Sequence, residues 1–281
     1  MKYEIIGGDS RFYHLAILLE NEGNEVKCFG LEKAEVGINK CVGIEKADCY
    51  ILPLPVEKGA GILNAPLSET ELNVHEILFD IPDGSLVLAG KIGDKLKNSS
   101  ECRGLEMYDY MQNPDFTVGN AALTAEATVW LLMNEYDTAL YGKNVLIIGY
   151  GRIGRILAHR LKGMNMNVGI MSSTPEVRAI TGALGYRPLL PRENISGFDL
   201  IINTAPAPVL PEGALSALEK DAYLLELASA PGGINRAEAA EFGLKVIAAP
   251  GLPARYSPKS AAKLIFDSVT EILKERENGK V

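Results

Sequence analysis

Lys143-Asn-Val-Leu-Ile-Ile-Gly-Tyr-Gly-Arg-Ile-Gly-Arg155 lies at the middle of the chain, and its reading decides the fold. Val145 to Ile148 are a short, β-branched apolar run of the kind that forms a buried parallel strand. Gly149-x-Gly151-x-x-Gly154 follows without a gap. Gly149 permits a tight turn, Gly151 lets a diphosphate approach the backbone, and Gly154 lets the next helix pack close to the strand. Ile153, Ile156, Leu157, Leu161 and Met164 recur at helical spacing, so an amphipathic helix is expected to follow. Its first-turn amides and dipole would hold phosphates. Strand, glycines and helix together predict a dinucleotide site on Gly149, Tyr150, Gly151, Arg152, Ile153 and Gly154, with Arg152 at the diphosphate. The alternative is a structural turn of the same outline.

The 281 residues are 47% hydrophobic and 23% charged, enough for two domains with full cores. A net charge of −8 argues against nucleic acid as a partner. No apolar stretch reaches the ~18 residues of a membrane span, and the chain starts directly on a strand, so a cytoplasmic location is expected. Cys28, Cys41, Cys49 and Cys102 form no CxxC pair and have no histidine at ligand spacing. Buried free thiols and no metal are the expectation.

Tyr3 to Ile6 read as a first strand and Gly7-Gly8-Asp9-Ser10-Arg11 as a second strand-glycine-helix junction, its helix running to about Glu22. No third glycine follows, so this junction predicts a small-anion site and not a second dinucleotide site. Asp9 as a plain N-cap beside a solvated Arg11 is the competing reading. Further strands are expected at Glu25 to Phe29, Ala47 to Leu54, Ser85 to Ala89 and Arg103 to Tyr108. A helix is expected at Glu69 to Phe79 and a loop at 56–66. The pattern over residues 1–118 is a doubly wound α/β domain of flavodoxin type.

Phe116 to Leu140 form a long helical pattern expected to link this domain to a Rossmann domain spanning 119–256. Asn120, Thr124 and Glu126 stand on an otherwise small and apolar stretch, and Asn120 and Thr124, four apart on one face, are candidates for orienting a substrate, or for bonding to neighbouring loops. Strands follow at Asn167 to Met171, Asp199 to Asn203, Tyr223 to Leu227 and Lys245 to Ala248. The first of these ends in Ser172-Ser-Thr174, with Arg178 a turn later, where an NAD site carries an acid for the ribose hydroxyls. Hydroxyls and an arginine accept a 2′-phosphate, which favours NADP over NAD. Asn203, Thr204, Ala205, Pro206 and Ala228, at the next two strand ends, complete the cofactor candidates. Ser257 as N-cap and Pro258 as first helical residue start a last helix, 257–281, expected to return to the first domain.

Such a plan is that of the D-2-hydroxyacid dehydrogenases, but those enzymes use a histidine on the nucleotide domain as base. Here the histidines are His14, His75 and His159, and none follows residue 159. Ile5-Ile-Gly-Gly-Asp-x-Arg11, Ile51-Leu-Pro53, Asn120 with Thr124 and Glu126, Leu227-Ala-Ser-x-Pro-Gly-Gly233 and Ala249-Pro-Gly-Leu-Pro253 with Pro258-Lys259 resemble the A-subunit family of dipicolinate synthase over essentially the whole chain. The resemblance implies oxidation of dihydrodipicolinate to dipicolinate in the mother cell of a sporulating bacterium, for which the strand-end reading supplies NADP as cofactor. It also implies a partner, the flavoprotein-like B subunit; a homo-oligomer is expected besides. Aromatisation drives that reaction, so a strong base is less necessary. Gly7, Gly8, Asp9, Arg11, Asn120, Thr124 and Arg255 are then expected to bind substrate, with Lys259 or Glu126 taking the ring proton. A dehydrogenase of another small 2-hydroxy or amino acid, and a cofactor-binding subunit inactive without its partner, are the alternatives.

Overall fold

The computed structural model describes residues 1–101, 103–229 and 232–279. In chain order its elements are β1 (Lys2–Ile6), α1 (Ser10–Asn21), β2 (Glu25–Phe29), β3 (Cys49–Ile51), β4 (Glu57–Gly59), β5 (Ile62–Leu63), α2 (Val74–Asp80), β6 (Leu86–Ala89), α3 (Asp94–Glu101), β7 (Glu106–Asp109), α4 (Pro114–Glu135) and β8 (Asn144–Ile148). They continue with α5 (Arg152–Gly163), β9 (Asn167–Met171), α6 (Pro175–Ala183), β10 (Arg187–Leu189), β11 (Leu200–Asn203), β12 (Tyr223–Glu226), α7 (Arg236–Glu241), β13 (Val246–Ala248), α8 (Leu252–Tyr256) and α9 (Pro258–Glu277). The chain divides into two compact units, Met1–Asn120 together with the chain from Pro253 onward, and Ala121–Leu252.

The first unit holds a parallel sheet in the order β2-β1-β3-β6-β7. Counting only its five strands, that is the 2-1-3-4-5 order of flavodoxin-like folds. Phe12, Leu15 and Leu19 of α1 join Ile265 and Val269 of α9 in the apolar layer on one face. At about 1.5–3 kcal/mol per fully buried large side chain, this layer is what fastens the C-terminal helix to the first unit. Ser268 Oγ adds a bond to the Tyr110 carbonyl at 2.9 Å. Val74, Ile77, Leu78 and Leu96 cover the other face.

The second unit holds a parallel sheet in the order β10-β9-β8-β11-β12-β13, the 3-2-1-4-5-6 order of Rossmann domains. Strand order reverses between β8 and β11, and ligands of such sheets bind outside the strand ends at that point.

Several local expectations are corrected. The stretch read as a loop at 56–66 contains the antiparallel pair β4–β5. Helix α2 starts at Val74 and not Glu69, because Asn73 Oδ1 caps it by accepting from the His75 and Glu76 amides. Helix α4 ends at Glu135 and not Leu140, ahead of Asp137 and Thr138, which favour turns. Ser257 precedes α9 but makes no cap bond, and its buried Oγ has no partner among the described residues. Cys28 and Cys49 are buried thiols and Cys41 is partly exposed; Cys102 lies outside the described residues. No helix among the described residues is long and apolar enough to cross a membrane.

Candidate functional site

The β8–α5 junction is shaped by its glycines. Gly149 has φ +93°, in the left-handed region. A Cβ on it would meet Thr204 Oγ1 at 2.8 Å, and one on Gly154 would run into the Gly149 carbonyl oxygen. Gly151 is different: a Cβ there would meet nothing within 4 Å. It is the N-cap of α5, and no side chain accepts a cap bond from the helix. A 12-residue helix start with no side-chain cap and, among the described residues, room beside Gly151 fits a diphosphate. Arg152 is exposed there; Ile153 and Tyr150 are half-buried. Arg155 stacks over the Tyr150 ring and donates to its carbonyl at 3.0 Å.

At the end of β9, Ser172 Oγ accepts from the Thr174 amide at 3.2 Å. Ser173 and Thr174 are exposed, and Thr174 makes no side-chain cap bond to α6. Arg178 reaches back to donate from Nη1 to the Ser172 carbonyl at 2.9 Å. Hydroxyls and a guanidinium therefore surround this strand end; the nearest acid in sequence is Glu176, exposed on the first turn of α6.

At the end of β11, Thr204 Oγ1 donates to the Ile148 carbonyl at 2.9 Å and ties this loop to the glycine junction. Ala205 is half-buried and Pro206 exposed. Asn203 is corrected as a direct cofactor contact. It is fully buried, and its Nδ2 is consumed by the Ala205 carbonyl (2.8 Å) and by Glu226 Oε1 (2.7 Å). Glu226 escaped the sequence reading because one acid at the end of Tyr223-Leu-Leu-Glu226 resembles the exposed face of an edge strand. In a parallel strand buried on both faces, however, a charge at the carboxyl end is itself a signal. The half-buried Ala228 donates its amide to the same carboxylate at 3.0 Å. The loops leaving β11 and β12 also enclose a cleft of about 490 Å³ whose lining includes Leu210, Gly233 and Ile234.

In the first unit, the Gly7 amide donates to the Phe29 carbonyl (2.7 Å) and the Gly8 amide to the Asn64 carbonyl (3.0 Å). Both are spent, so the expectation that they hold an anion is corrected. These glycines serve packing: a Cβ on Gly7 would meet Leu63 at 2.8 Å, and one on Gly8 would enter the Phe12 ring. Asp9 caps α1 through the Arg11 amide (3.1 Å) and grips the Arg11 side chain with both oxygens, Nε to Oδ1 at 2.9 Å and Nη2 to Oδ2 at 2.8 Å. A carboxylate so used orients Arg11 and does not itself meet a substrate anion. Arg11 Nη2 also donates to the Leu54 carbonyl at 2.6 Å. Only 7% exposed, Arg11 is not a solvated first-turn residue, and its Nη1 has no protein partner among the described residues.

Ser10 Oγ donates to the Ala254 carbonyl at 2.8 Å, joining the start of α1 to the segment before α9. Lys259 is exposed on the first turn of α9, and Arg255 is exposed with its guanidinium over Tyr256. Burial, and then the Lys259 charge, lower the pKa of His14 below its ordinary 6.5. Both effects disfavour the imidazolium form of His14, a neighbour of Lys259 that sequence spacing alone did not reveal.

On α4, Asn120 is half-buried and Thr124 is buried, its carbonyl accepting from Thr128 Oγ1 at 2.8 Å. Glu126 is corrected as a base: its side chain is 75% exposed and faces Arg160 at 4.0 Å, with nothing to desolvate or aim it. Among the described residues no group of acids, histidines and cysteines could hold a metal.

A glycine-shaped strand-helix junction at the reversal of a Rossmann sheet defines a nicotinamide-dependent oxidoreductase. Residues 91–231 match the D-isomer specific 2-hydroxyacid dehydrogenase NAD binding domain, and the chain belongs to that family. Residues 2–111 match the N-terminal domain of the dipicolinate synthase A subunit, and over its whole length the chain resembles that protein. The A subunit of dipicolinate synthase from Bacillus subtilis is 27% identical, over all of this chain and 99% of its own. The Bacillus subtilis A-chain structure superposes with a TM-score of 0.83 at 25% identity, covering 99% of this chain and 97% of that one. The A-subunit structure from Bacillus halodurans has a TM-score of 0.84 at 24% identity and 97% coverage of both chains.

Proposed function

We propose that the chain is the A subunit of a dipicolinate synthase, oxidising dihydrodipicolinate to pyridine-2,6-dicarboxylate with NADP and acting with the B subunit in a sporulating cell. The observation that carries the reading is that the half holding Arg11, and not only the nucleotide half, matches the A subunit of dipicolinate synthase. When bound, the dinucleotide supplies the two-electron acceptor for the ring.

The chain's own residues do the rest. The α5 amides and Arg152 hold the diphosphate, and Ser172, Ser173, Thr174 and Arg178 receive the 2′-phosphate. Arg11, locked by Asp9 and Leu54, offers Nη1 to one substrate carboxylate, and Arg255 or Lys259 serves the other. Among the side chains near Lys259, His14, whose charged form is disfavoured by burial and by the Lys259 charge, accepts the ring proton.

The test supplies the purified chain with NADP and dihydrodipicolinate, with and without the B subunit of a related synthase, and follows the absorbance of dipicolinate. Product requires NADP; Arg11→Ala raises KM or lowers kcat at least about tenfold. No product under any combination, or unchanged kinetics in the variant, contradicts the reading.

A further inference from the structure

Glu226 is 3% exposed in a strand whose other residues are Tyr223, Leu224 and Leu225. Burying a carboxylate costs several kcal/mol unless its oxygens are met, and here both are. Oε1 accepts from Asn203 Nδ2 (2.7 Å) and the Ala228 amide (3.0 Å). Oε2 accepts from the Gly233 and Ile234 amides, at 2.8 and 2.9 Å. No cation takes part in these bonds. Three of the donors are backbone, so the carboxylate cannot be satisfied without fixing the path of the chain on both sides of it.

The approach is close enough to require glycine. Gly232 has φ +79°, and a Cβ on it would meet Glu226 Oε2 at 2.8 Å. A Cβ on Gly233 would meet Asn203 Nδ2 at 2.6 Å. The glycine pair after β12 is therefore a wrapper around this carboxylate and not a phosphate cradle. From Asn203 the contacts run on without a break: Thr204 Oγ1 donates to the Ile148 carbonyl and abuts Gly149.

We infer that Glu226 is a positioning residue of the dinucleotide site, clasping the loops that leave β11 and β12 and so setting the affinity for the cofactor. The inference rests on the assignment of the dinucleotide to the second unit. Glutamine is nearly the same shape, but whichever way its amide is turned the NH2 opposes N–H donors that the carboxylate accepted from.

Calorimetric titration of the full chain with NADP and with NAD tests it, with dipicolinate titrated in parallel as a ligand of the first unit. Glu226→Gln weakens the dinucleotide at least about tenfold and changes dipicolinate affinity less than about twofold. Asn203→Asp, a second variant in case the first does not fold, sets two carboxylates in contact, which repel when both are ionised and are relieved when one takes up a proton. Its dinucleotide affinity improves as the pH falls from about 8 to about 5, relative to wild type. Dinucleotide affinity equal to wild type in Glu226→Gln, or, should that variant not fold, in Asn203→Asp at every pH, overturns the inference even if the melting temperature falls, and leaves the proposed function standing. A wild-type chain that binds no dinucleotide overturns both.

Discussion

The chain contains the same local pattern twice, a short apolar strand, glycines and a helix, and puts the two copies to opposite uses. At Gly7-Gly8 both glycine amides are already donated to carbonyls, and Asp9 supplies a carboxylate as the N-cap of α1. The place an anion would take is filled by the protein's own anion, and the charge on offer is the guanidinium that Asp9 holds. At Gly149 to Gly154 the N-cap is a glycine, and among the described residues no side chain caps the helix and none would meet a Cβ placed on Gly151. Two strand-glycine-helix junctions are therefore told apart by what occupies the cap position, more than by the number of glycines.

Four variants break or sharpen this contrast, in falling order of effect. Asp9→Ala removes the partner of a nearly buried cation and should destabilise the protein by about 3–5 kcal/mol. Denaturant melts would show this, with dinucleotide affinity in the folded chain unchanged. Gly154→Ala drives a methyl into the Gly149 carbonyl and should weaken the dinucleotide by about a hundredfold, near the upper end of overpacking costs of ~1–3 kcal/mol. By contrast Gly151→Ala has room for its methyl, so its melting temperature stays at wild type while the dinucleotide still weakens. Arg178→Gln should shift the NADP-to-NAD preference toward NAD by a few-fold, about 1 kcal/mol, read as the ratio of the two kcat/KM values.

The smallest effect concerns β1, the strand feeding the first junction. Burial raises Glu4 from its ordinary 4.5 to about 7, against bonds from the Glu45 amide and Cys41 that lower it. A carboxyl raised in the folded state contributes stability that is full below about 4.5 and is lost as pH rises through about 7. Glu4→Gln keeps an acceptor for the Glu45 amide and should flatten this dependence, so that denaturation midpoints at pH 5 and pH 8 converge.

The strands were legible because β-branched apolar runs bounded by glycine and proline have few other readings, and the glycine spacing of 149–154 announced its own turn. The β4–β5 pair was not legible, since Gly59-Ala-Gly61 reads as pure loop until pairing is seen. Helix α8, Leu252–Tyr256, is too short for any periodicity and lies in a proline-rich segment. In the site, residue type gave the candidates but not their state. Asp9 and Arg11 were visible as a pair of charges, and only the fold shows that one is spent orienting the other. Asn203 was placed correctly at a strand end, yet its amide is turned inward toward Glu226. Whether a polar group faces ligand or protein depends on partners distant in sequence, and spacing carries no record of them.

The central claim, that only the second of the two junctions carries a dinucleotide, is tested most directly by the stoichiometry of NADP binding. Titration of the wild-type chain, of Gly154→Ala and of Asp9→Asn, at NADP concentrations that just saturate the wild type, should give one site per chain, loss of that site, and one site per chain. Two sites in the wild type, or a site that survives Gly154→Ala and disappears in Asp9→Asn, would contradict the account.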